Sequence, residues 1–136
     1  MRLLIDTNIF LEVLLEQARA EEARSLLAAV ESHEFFISDF SLHSIGLLLF
    51  RRGQFDVLKE FLDDVIHGAH TVVISLAVPD MESVIESARS LRLDFDDAYQ
   101  YVLAEKHNLI VVSFDSDFDR TARGRKTPAD IIGASA

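Results

Sequence analysis

The sequence predicts an α/β protein, a three-layer α/β/α sandwich built on a mostly parallel sheet of four or five strands. Two observations favour this fold class. Short apolar segments alternate along the chain with longer segments whose apolar residues recur at helical spacing, as in parallel sheets that helices cover on both faces. The hydrophobic content of 49% in 136 residues is enough for a buried core, and the length predicts one domain over residues 1–136.

Four short apolar segments are the predicted strands. The last of them is the clearest, because four apolar residues follow one another directly. The strands are expected at residues 2–5, 35–37, 71–74 and 109–113. Since helical segments separate them, we expect parallel pairing through crossover connections.

The segments between the strands are predicted to be helical from their Leu, Ala and Glu content and their apolar spacing. The helices are expected over residues 9–16, 19–32, about 40–52, 55–67, 81–91 and 95–107. Ser38 or Asp39 is expected to cap the third of these helices, and Asp80 the fifth. Pro128 is expected to open a last helical turn near the end of the chain.

The charge and composition exclude several classes of protein. A net charge of −10 excludes a generally basic nucleic-acid-binding protein, but a nuclease remains compatible with it because bound cations neutralise a site locally. The chain contains no cysteine, which excludes disulfides and thiolate metal sites. Asp6 interrupts the first apolar stretch, unlike a signal peptide, and no stretch has the length of a membrane span. We therefore expect a soluble, cytoplasmic protein without a membrane partner.

Acidic side chains recur where the predicted strands end. Asp6 directly follows the first strand, Asp115 and Asp117 follow the fourth, and Asp97 lies at the start of a helix. Open α/β sheets bind their ligands at the carboxyl ends of the strands. Several carboxylates in one crevice repel one another, and hard oxygen ligands suit Mg²⁺ or Mn²⁺. These positions therefore predict a site for a divalent cation.

The same positions also have purely structural interpretations. Asp94 is expected to cap the sixth helix, and Asp97 would be a favourable acid in its first turn. Both interpretations remain compatible with an Asp97 side chain that faces the crevice. Asp117 could cap the short segment that follows it, and Asn8 could cap the first helix. Asp96 is expected to be solvated.

Three segments carry these acids in a characteristic order. They are Leu-Leu-Ile-Asp-Thr-Asn at residues 3–8, Leu-Asp-Phe-Asp-Asp-Ala at residues 93–98 and Ile-Val-Val-Ser-Phe-Asp-Ser-Asp-Phe at residues 110–118. In order, spacing and context they resemble the PIN domain family, compact α/β ribonuclease domains that are widespread as the toxins of bacterial and archaeal toxin–antitoxin pairs. The resemblance covers nearly the whole chain, including the closing segment 127–132.

The resemblance implies a role for each matching residue. Four carboxylates are implied as metal ligands, the first three also as catalytic residues: Asp6, Asp97, Asp115 and Asp117. Asn8 and Ser113 are implied to orient these carboxylates. The family's further acid, a glutamate in the third helix, falls on Ser44, which is a poor metal ligand. The neighbouring His43 is expected to be a buried, satisfied histidine.

The implied function is a metal-dependent endoribonuclease that hydrolyses single-stranded RNA with Mg²⁺ or Mn²⁺, as the toxin partner of an antitoxin protein. The chemistry agrees, because phosphodiester hydrolysis needs an activated water and stabilisation of charge on the phosphoryl group. Ser44 favours an alternative, a catalytically weakened PIN-like module that binds RNA or a protein. A receiver-type signalling domain also clusters acids, but the lysine expected after its fifth strand is not evident.

Two further features concern partners. A basic stretch beyond Asp115 is the candidate for contacting the RNA backbone, with a solvated loop as the alternative. Its members are Arg120, Arg123, Arg125 and Lys126. The apolar helices over 40–50 and 55–65 offer more hydrophobic surface than a small sheet needs, and together with the resemblance they favour a homodimer or larger homo-oligomer.

Overall fold

The sheet confirms the predicted α/β class. The structure, a computed structural model, describes residues 1–135. Its strands are β1 (Arg2–Ile5), β2 (Glu34–Ser38), β3 (Val72–Ile74) and β4 (Ile110–Val112). They pair in parallel in the order β3-β2-β1-β4. Val112 also forms a parallel bridge with Lys126, so residues near Lys126 extend the sheet beyond β4 without forming a full fifth strand.

Helices lie on both faces of this sheet. The α-helices of residues 1–135 are α1 (Thr7–Leu14), α2 (Ala20–Leu27), α3 (Asp39–Arg51), α4 (Phe55–Phe61), α5 (Met81–Leu91), α6 (Phe95–His107) and α7 (Pro128–Ser135). A π-helical turn, Leu62–Gly68, continues α4. Short 3₁₀ helices cover Val78–Asp80 and Ser116–Arg120.

The alternating faces of β1 divide the hydrophobic core into two layers. Leu3 and Ile5 pack with residues of α1, α2, α3 and α4 on one side of the sheet. Leu4 packs with residues of α5 and α6 on the other side. All three side chains are completely buried, because β1 is a central strand and successive residues of a strand point to opposite faces. The three-layer α/β/α prediction is confirmed.

Two predicted helices have different bounds in the structure. The helix expected over residues 19–32 ends at Leu27, because the chain must turn back over residues 28–33 to bring Glu34 beside Arg2 in the sheet. The helix expected over 55–67 changes from α to π geometry after Phe61. Its Leu, Ala and Glu content predicted that the first segment is helical, and its apolar spacing predicted the same of the second, but neither signal indicated where the helix ends.

The predicted helix caps were confirmed only in part. Ser38 caps α3 by accepting a hydrogen bond from Ser41 N at 2.9 Å, as one of the two alternatives stated. Asp80 does not cap α5 with its side chain. Its Oδ2 accepts from Ala77 N and from Lys106 Nζ, both at 2.8 Å. Asp94 is the N-cap residue of α6, as predicted, and its carbonyl accepts from Ala98 N at 2.9 Å, but its side chain makes no capping hydrogen bond.

Membrane crossing was tested on the helices of residues 1–135. Not one of them combines the length and the apolar character that a bilayer span requires.

Candidate metal centre

The register of β1 and β4 brings their carboxyl ends together. Ile5 lies beside Val112 in the sheet, so the residues that follow, Asp6 and Ser113, emerge side by side. A crevice of about 270 Å³ opens at this edge. Its lining consists of Asp6, Thr7, Asn8, Leu11, Phe40, Ser44, Asp96, Asp97 and Asp115. Three of the four acids predicted as metal ligands line the crevice: Asp6, Asp97 and Asp115. Asn8 and Ser44, the position where the family has a glutamate, line it as well.

Asp6 is held by four hydrogen-bond donors. Its Oδ1 accepts from Thr7 N at 2.9 Å and from Gln100 Nε2 at 3.0 Å. Its Oδ2 accepts from Ser113 Oγ at 2.7 Å and, more weakly, from Asn8 Nδ2 at 3.4 Å. Burial raises the pKa of Asp6, while the hydrogen bonds from Gln100, Ser113 and Thr7 oppose that rise. The buried carboxylate is therefore fixed in direction by its donors.

Asn8 and Ser113 join the start of α1 to the end of β4. Asn8 Nδ2 donates to Ser113 Oγ at 3.1 Å, and Asn8 Oδ1 accepts from Phe114 N at 3.2 Å. Ser113 Oγ also accepts from Asp115 N at 2.9 Å. Asn8 lies inside α1 rather than capping it, since the cap of this helix is Asp6. Both residues thus contact the segments that carry the acids.

Three acids form a compact group beside Asp6. One carboxylate oxygen from each of Asp97, Asp115 and Asp117 lies within 4.8 Å of the others, and all three side chains are half-buried. Asp115, rather than Asp117, caps the following 3₁₀ helix by accepting from Asp117 N at 2.8 Å. Asp117 forms an ion pair with Arg120 at 3.1 Å. Residues from α6 and from the chain after β4 meet at this point.

The protein balances the charges of this group only in part, through the ion pair between Asp117 and Arg120. The pKa of Asp97 is raised to about 7, first by burial and then by the negative charges of Asp115 and Asp6 and a hydrogen bond with Asp115. Asp97 therefore holds its proton to a higher pH than an ordinary aspartate when no cation is bound. A donor set of closely spaced carboxylate oxygens fits a hard divalent cation, which would replace that proton and relieve the repulsion.

Ser44, on α3, is half-buried and lines the crevice together with Asp6, Asp97 and Asp115. The side chain present at this position is thus short and uncharged. Asp96 is exposed, as expected, and it also lines the crevice. His43, one residue before Ser44, is exposed and lines a separate hollow beside Leu47 and Phe50, so its predicted burial was wrong.

Gln100 and Ser41 were missed by sequence reasoning. Both are completely or almost completely buried, and Gln100 Nε2 donates to Ser41 Oγ at 2.9 Å as well as to Asp6. Ser41 Oγ further accepts from Thr7 Oγ1 at 2.7 Å. The available signal was an amide on the otherwise apolar face of α6, three residues after Asp97. This polar chain links three elements behind the crevice.

The basic stretch does not gather at the crevice. Arg120 donates to Arg92 O and pairs with Asp117. Arg125 pairs with Asp119 and donates to Ser113 O. Arg123 donates to Leu109 O at 3.1 Å, at the amino end of β4 and therefore at the opposite end of that strand from Asp115. Lys126 is exposed, and its backbone pairs with β4. Contact of these side chains with RNA stays a prediction.

Several solved structures share this fold. A toxin–antitoxin complex from Klebsiella pneumoniae matches with a TM-score of 0.68 and 21% identity, over 92% of this chain and 96% of that one. VapBC2 from Rickettsia felis, bound to a DNA fragment from their promoter, matches with a TM-score of 0.72 and 15% identity, over 93% and 97%. VapC20 from Mycobacterium tuberculosis, a sarcin-ricin loop cleaving toxin, matches with a TM-score of 0.69 and 20% identity, over 86% and 92%.

Sequence comparison gives the family. Curated proteins give no significant match. The family model of the PIN domain matches residues 3–124. This range contains every acid of the crevice, the strands β2, β3 and β4, and all of β1 except Arg2. The protein belongs to the PIN domain family.

Proposed function

We propose that the protein is a metal-dependent endoribonuclease that hydrolyses phosphodiester bonds in single-stranded RNA. We further propose that it is the toxin of a toxin–antitoxin pair, acting in the cytoplasm as one domain over residues 1–136. The observation that carries the proposal is the close grouping of Asp97, Asp115 and Asp117 beside the crevice that Asp6, Asp97 and Asp115 line. Such a donor set, in a member of the PIN family, suits phosphodiester hydrolysis.

In this proposal Asp6, Asp97, Asp115 and Asp117 would hold Mg²⁺ or Mn²⁺. A bound cation would activate a water and offset the charge on the phosphoryl group. Asn8 and Ser113 orient the carboxylates through the hydrogen bonds described above. A bound cation would lower the pKa of Asp97 and release its proton, because the positive charge would offset the neighbouring carboxylates.

The toxin assignment is supported by the kind of protein that shares the fold. One neighbour is a toxin–antitoxin complex and another is a sarcin-ricin loop cleaving toxin. We therefore propose an antitoxin protein as partner and RNA as substrate. For contact with the RNA backbone, Arg120, Arg125 and Lys126 are better placed than Arg123. Arg120 pairs with Asp117, Arg125 bonds Ser113 O, and Lys126 bridges to Val112. Arg123 instead bonds Leu109 O at the amino end of β4.

A homodimer is also proposed, from the exposed apolar face of α3 and the start of α4. Leu47 is 44% exposed, Phe50 59% and Phe55 55%. The rings of Phe50 and Phe55 contact each other edge to face with centroids 4.9 Å apart. Apolar groups that remain in contact with water at neighbouring positions favour association with a second surface.

The decisive experiment measures cleavage of single-stranded RNA with added Mg²⁺ or Mn²⁺ and again after EDTA. We expect cleavage only with metal, and none in Asp115→Asn. A matched control is Asp63→Asn, which removes one negative charge from the exposed π-helical turn and should cleave normally. Cleavage that persists in EDTA, or in Asp115→Asn, would contradict the proposal.

The alternative is a weakened PIN-like module that binds RNA or a protein without cutting it. Ser44 in the crevice favours it, because a hydroxyl adds no charge to the metal-binding group. Protein that binds several RNAs, takes up Mn²⁺ and never cleaves would establish this alternative.

A further inference from the structure

Gln100 contacts Asp6 from the buried side of the site. Its side chain is 1% exposed and is absent from the crevice lining, whereas Asp6, Thr7 and Asn8 line it. Gln100 Nε2 bonds Asp6 Oδ1 at 3.0 Å and Ser41 Oγ at 2.9 Å. One amide of α6 thus donates hydrogen bonds both to the carboxylate that follows β1 and to a hydroxyl of α3.

The four donors to Asp6 act from two sides. Gln100 and Ser113 are buried and fix the carboxylate from within the protein. On Oδ2 the second donor is Asn8 at 3.4 Å, the longest of the four bonds. Asp6 lines the crevice whereas Gln100 and Ser113 do not, so a cation would reach the Asp6 carboxylate from the side away from these two donors.

Burying Gln100 has a cost to stability. Its Oε1 is enclosed and has no hydrogen-bond partner among the groups of residues 1–135. An apolar side chain of similar shape would avoid an unpaired oxygen. Gln100 is therefore not the residue that would pack α6 most favourably, and we assign its contribution to the hydrogen bond with Asp6.

We propose that Gln100 is a positioning residue: its amide holds the Asp6 carboxylate in a fixed orientation at the crevice and thereby sets the affinity of the centre for Mn²⁺ or Mg²⁺. The inference rests on the proposed function, since it takes Asp6 as part of the metal centre. Groups that orient a metal-binding carboxylate change affinity through it, without touching the ion.

The test compares two variants of neighbouring residues on α6. Gln100→Met keeps the length of the side chain and removes its donor together with the unpaired oxygen. Tyr99→Phe is the matched control: it removes a hydroxyl that bonds Asp39 at 2.7 Å and Leu76 N at 2.9 Å, away from Asp6. Each purified variant is titrated with Mn²⁺ by calorimetry and electron paramagnetic resonance, and melted without metal.

We expect opposite effects in the two variants. Gln100→Met should bind Mn²⁺ at least about tenfold more weakly with a changed Mn²⁺ spectrum, while its metal-free melting temperature stays close to the wild type. Tyr99→Phe should melt lower and bind Mn²⁺ normally. A metal-free crystal structure of Gln100→Met should show the Asp6 carboxylate rotated from its present orientation.

Two results would overturn the inference and its basis separately. Wild-type affinity in Gln100→Met, with Asp6 unmoved in the crystal, overturns the role of Gln100 alone. A wild-type protein that takes up no Mn²⁺ overturns the metal centre and hence the proposed function. The metal-free orientation of Asp6 still shows whether Gln100 positions it.

Discussion

Ser113 Oγ donates a 2.7 Å hydrogen bond to Asp6 Oδ2, across 107 residues of sequence. The residue after β4 therefore holds the residue after β1, and the same hydroxyl accepts from Asp115 N. One serine therefore fixes two acids relative to each other, through one hydrogen bond that it donates and one that it accepts.

Asp115→Asn should abolish Mn²⁺ binding and raise the melting temperature of the metal-free protein. The negative charge of Asp115 raises the pKa of both Asp6 and Asp97, so its removal relieves repulsion. The amide oxygen of asparagine can still accept from Asp117 N and keep the 3₁₀ cap. Calorimetry and thermal melting in EDTA check this. A lower melting temperature would show that the charge cluster does not strain the fold.

The stability of the metal-free protein should fall as pH rises towards neutrality. The pKa of Asp97 is raised from 3.8 to about 7, so between these values the folded state holds a proton that the unfolded chain releases. This contribution to stability is complete below 3.8 and is lost as pH rises through about 7. Melting in EDTA at pH about 5 to about 8 measures it.

The control for the pH dependence is Asp97→Asn, whose profile over the same range should be flatter. With saturating Mn²⁺ the stability of the wild type should instead rise with pH. The Asp97 proton competes with the cation, so its loss at higher pH strengthens cation binding to the folded protein. An unchanged slope in Asp97→Asn would assign the titration to another group.

Ser44→Glu should raise the affinity for Mn²⁺ and lower the metal-free melting temperature. The position faces the acids, so a carboxylate there adds both a ligand and a repelling charge. Ser83→Glu, at an exposed position of α5, is the control and should change neither quantity appreciably. Equal affinity in Ser44→Glu and the wild type, with intact circular dichroism, would remove Ser44 from the site.

Lys126→Ala should weaken RNA binding and reduce the slope of log affinity against log salt by about 1. Arg123→Ala should leave that slope unchanged, because Arg123 bonds Leu109 O at the far end of β4. Fluorescence anisotropy at several salt concentrations, in an Asp115→Asn background, separates the two. Equal loss in both variants would place RNA along the whole basic stretch.

Phe50→Glu should convert a dimer to monomers, since it places a charge in the centre of the exposed apolar face of α3. Phe50 is 59% exposed, so the substitution costs the monomer little. Val78→Glu, at another exposed apolar position, is the control. Sedimentation velocity at micromolar concentration distinguishes the states, and a wild type that sediments as a monomer would contradict the proposed dimer.

The strands and the acids were predictable because their signals are local. A short apolar run followed at once by Asp6 or Ser113 identifies both a buried strand and its exit from the sheet. Helix ends were less predictable, since α2 ends where Glu34 must join β2. Asp80 was assigned as a cap from its position, but Lys106, distant in sequence, competes for its carboxylate.

The hydrogen bonding of the site was not predictable, because it depends on which surfaces the fold brings together. Gln100 and Asp6 are 94 residues apart and meet only when α6 packs on the sheet. The basic residues were adjacent in sequence, yet the bridge at Lys126 and the bond from Arg123 to Leu109 O separate them along β4. Proximity in sequence therefore overstated their proximity in space.

β4 is the last of the four strands to be synthesised, because it follows β1, β2 and β3 in the sequence. During synthesis β1 can pair with β2 early, but the other edge of this apolar strand stays open until residues 110–112 leave the ribosome. Such an edge invites pairing with other chains. The same order means that Asp6 meets Ser113 and Asp115 only after those residues have been synthesised, so a nascent chain that ends before them carries no assembled acid cluster.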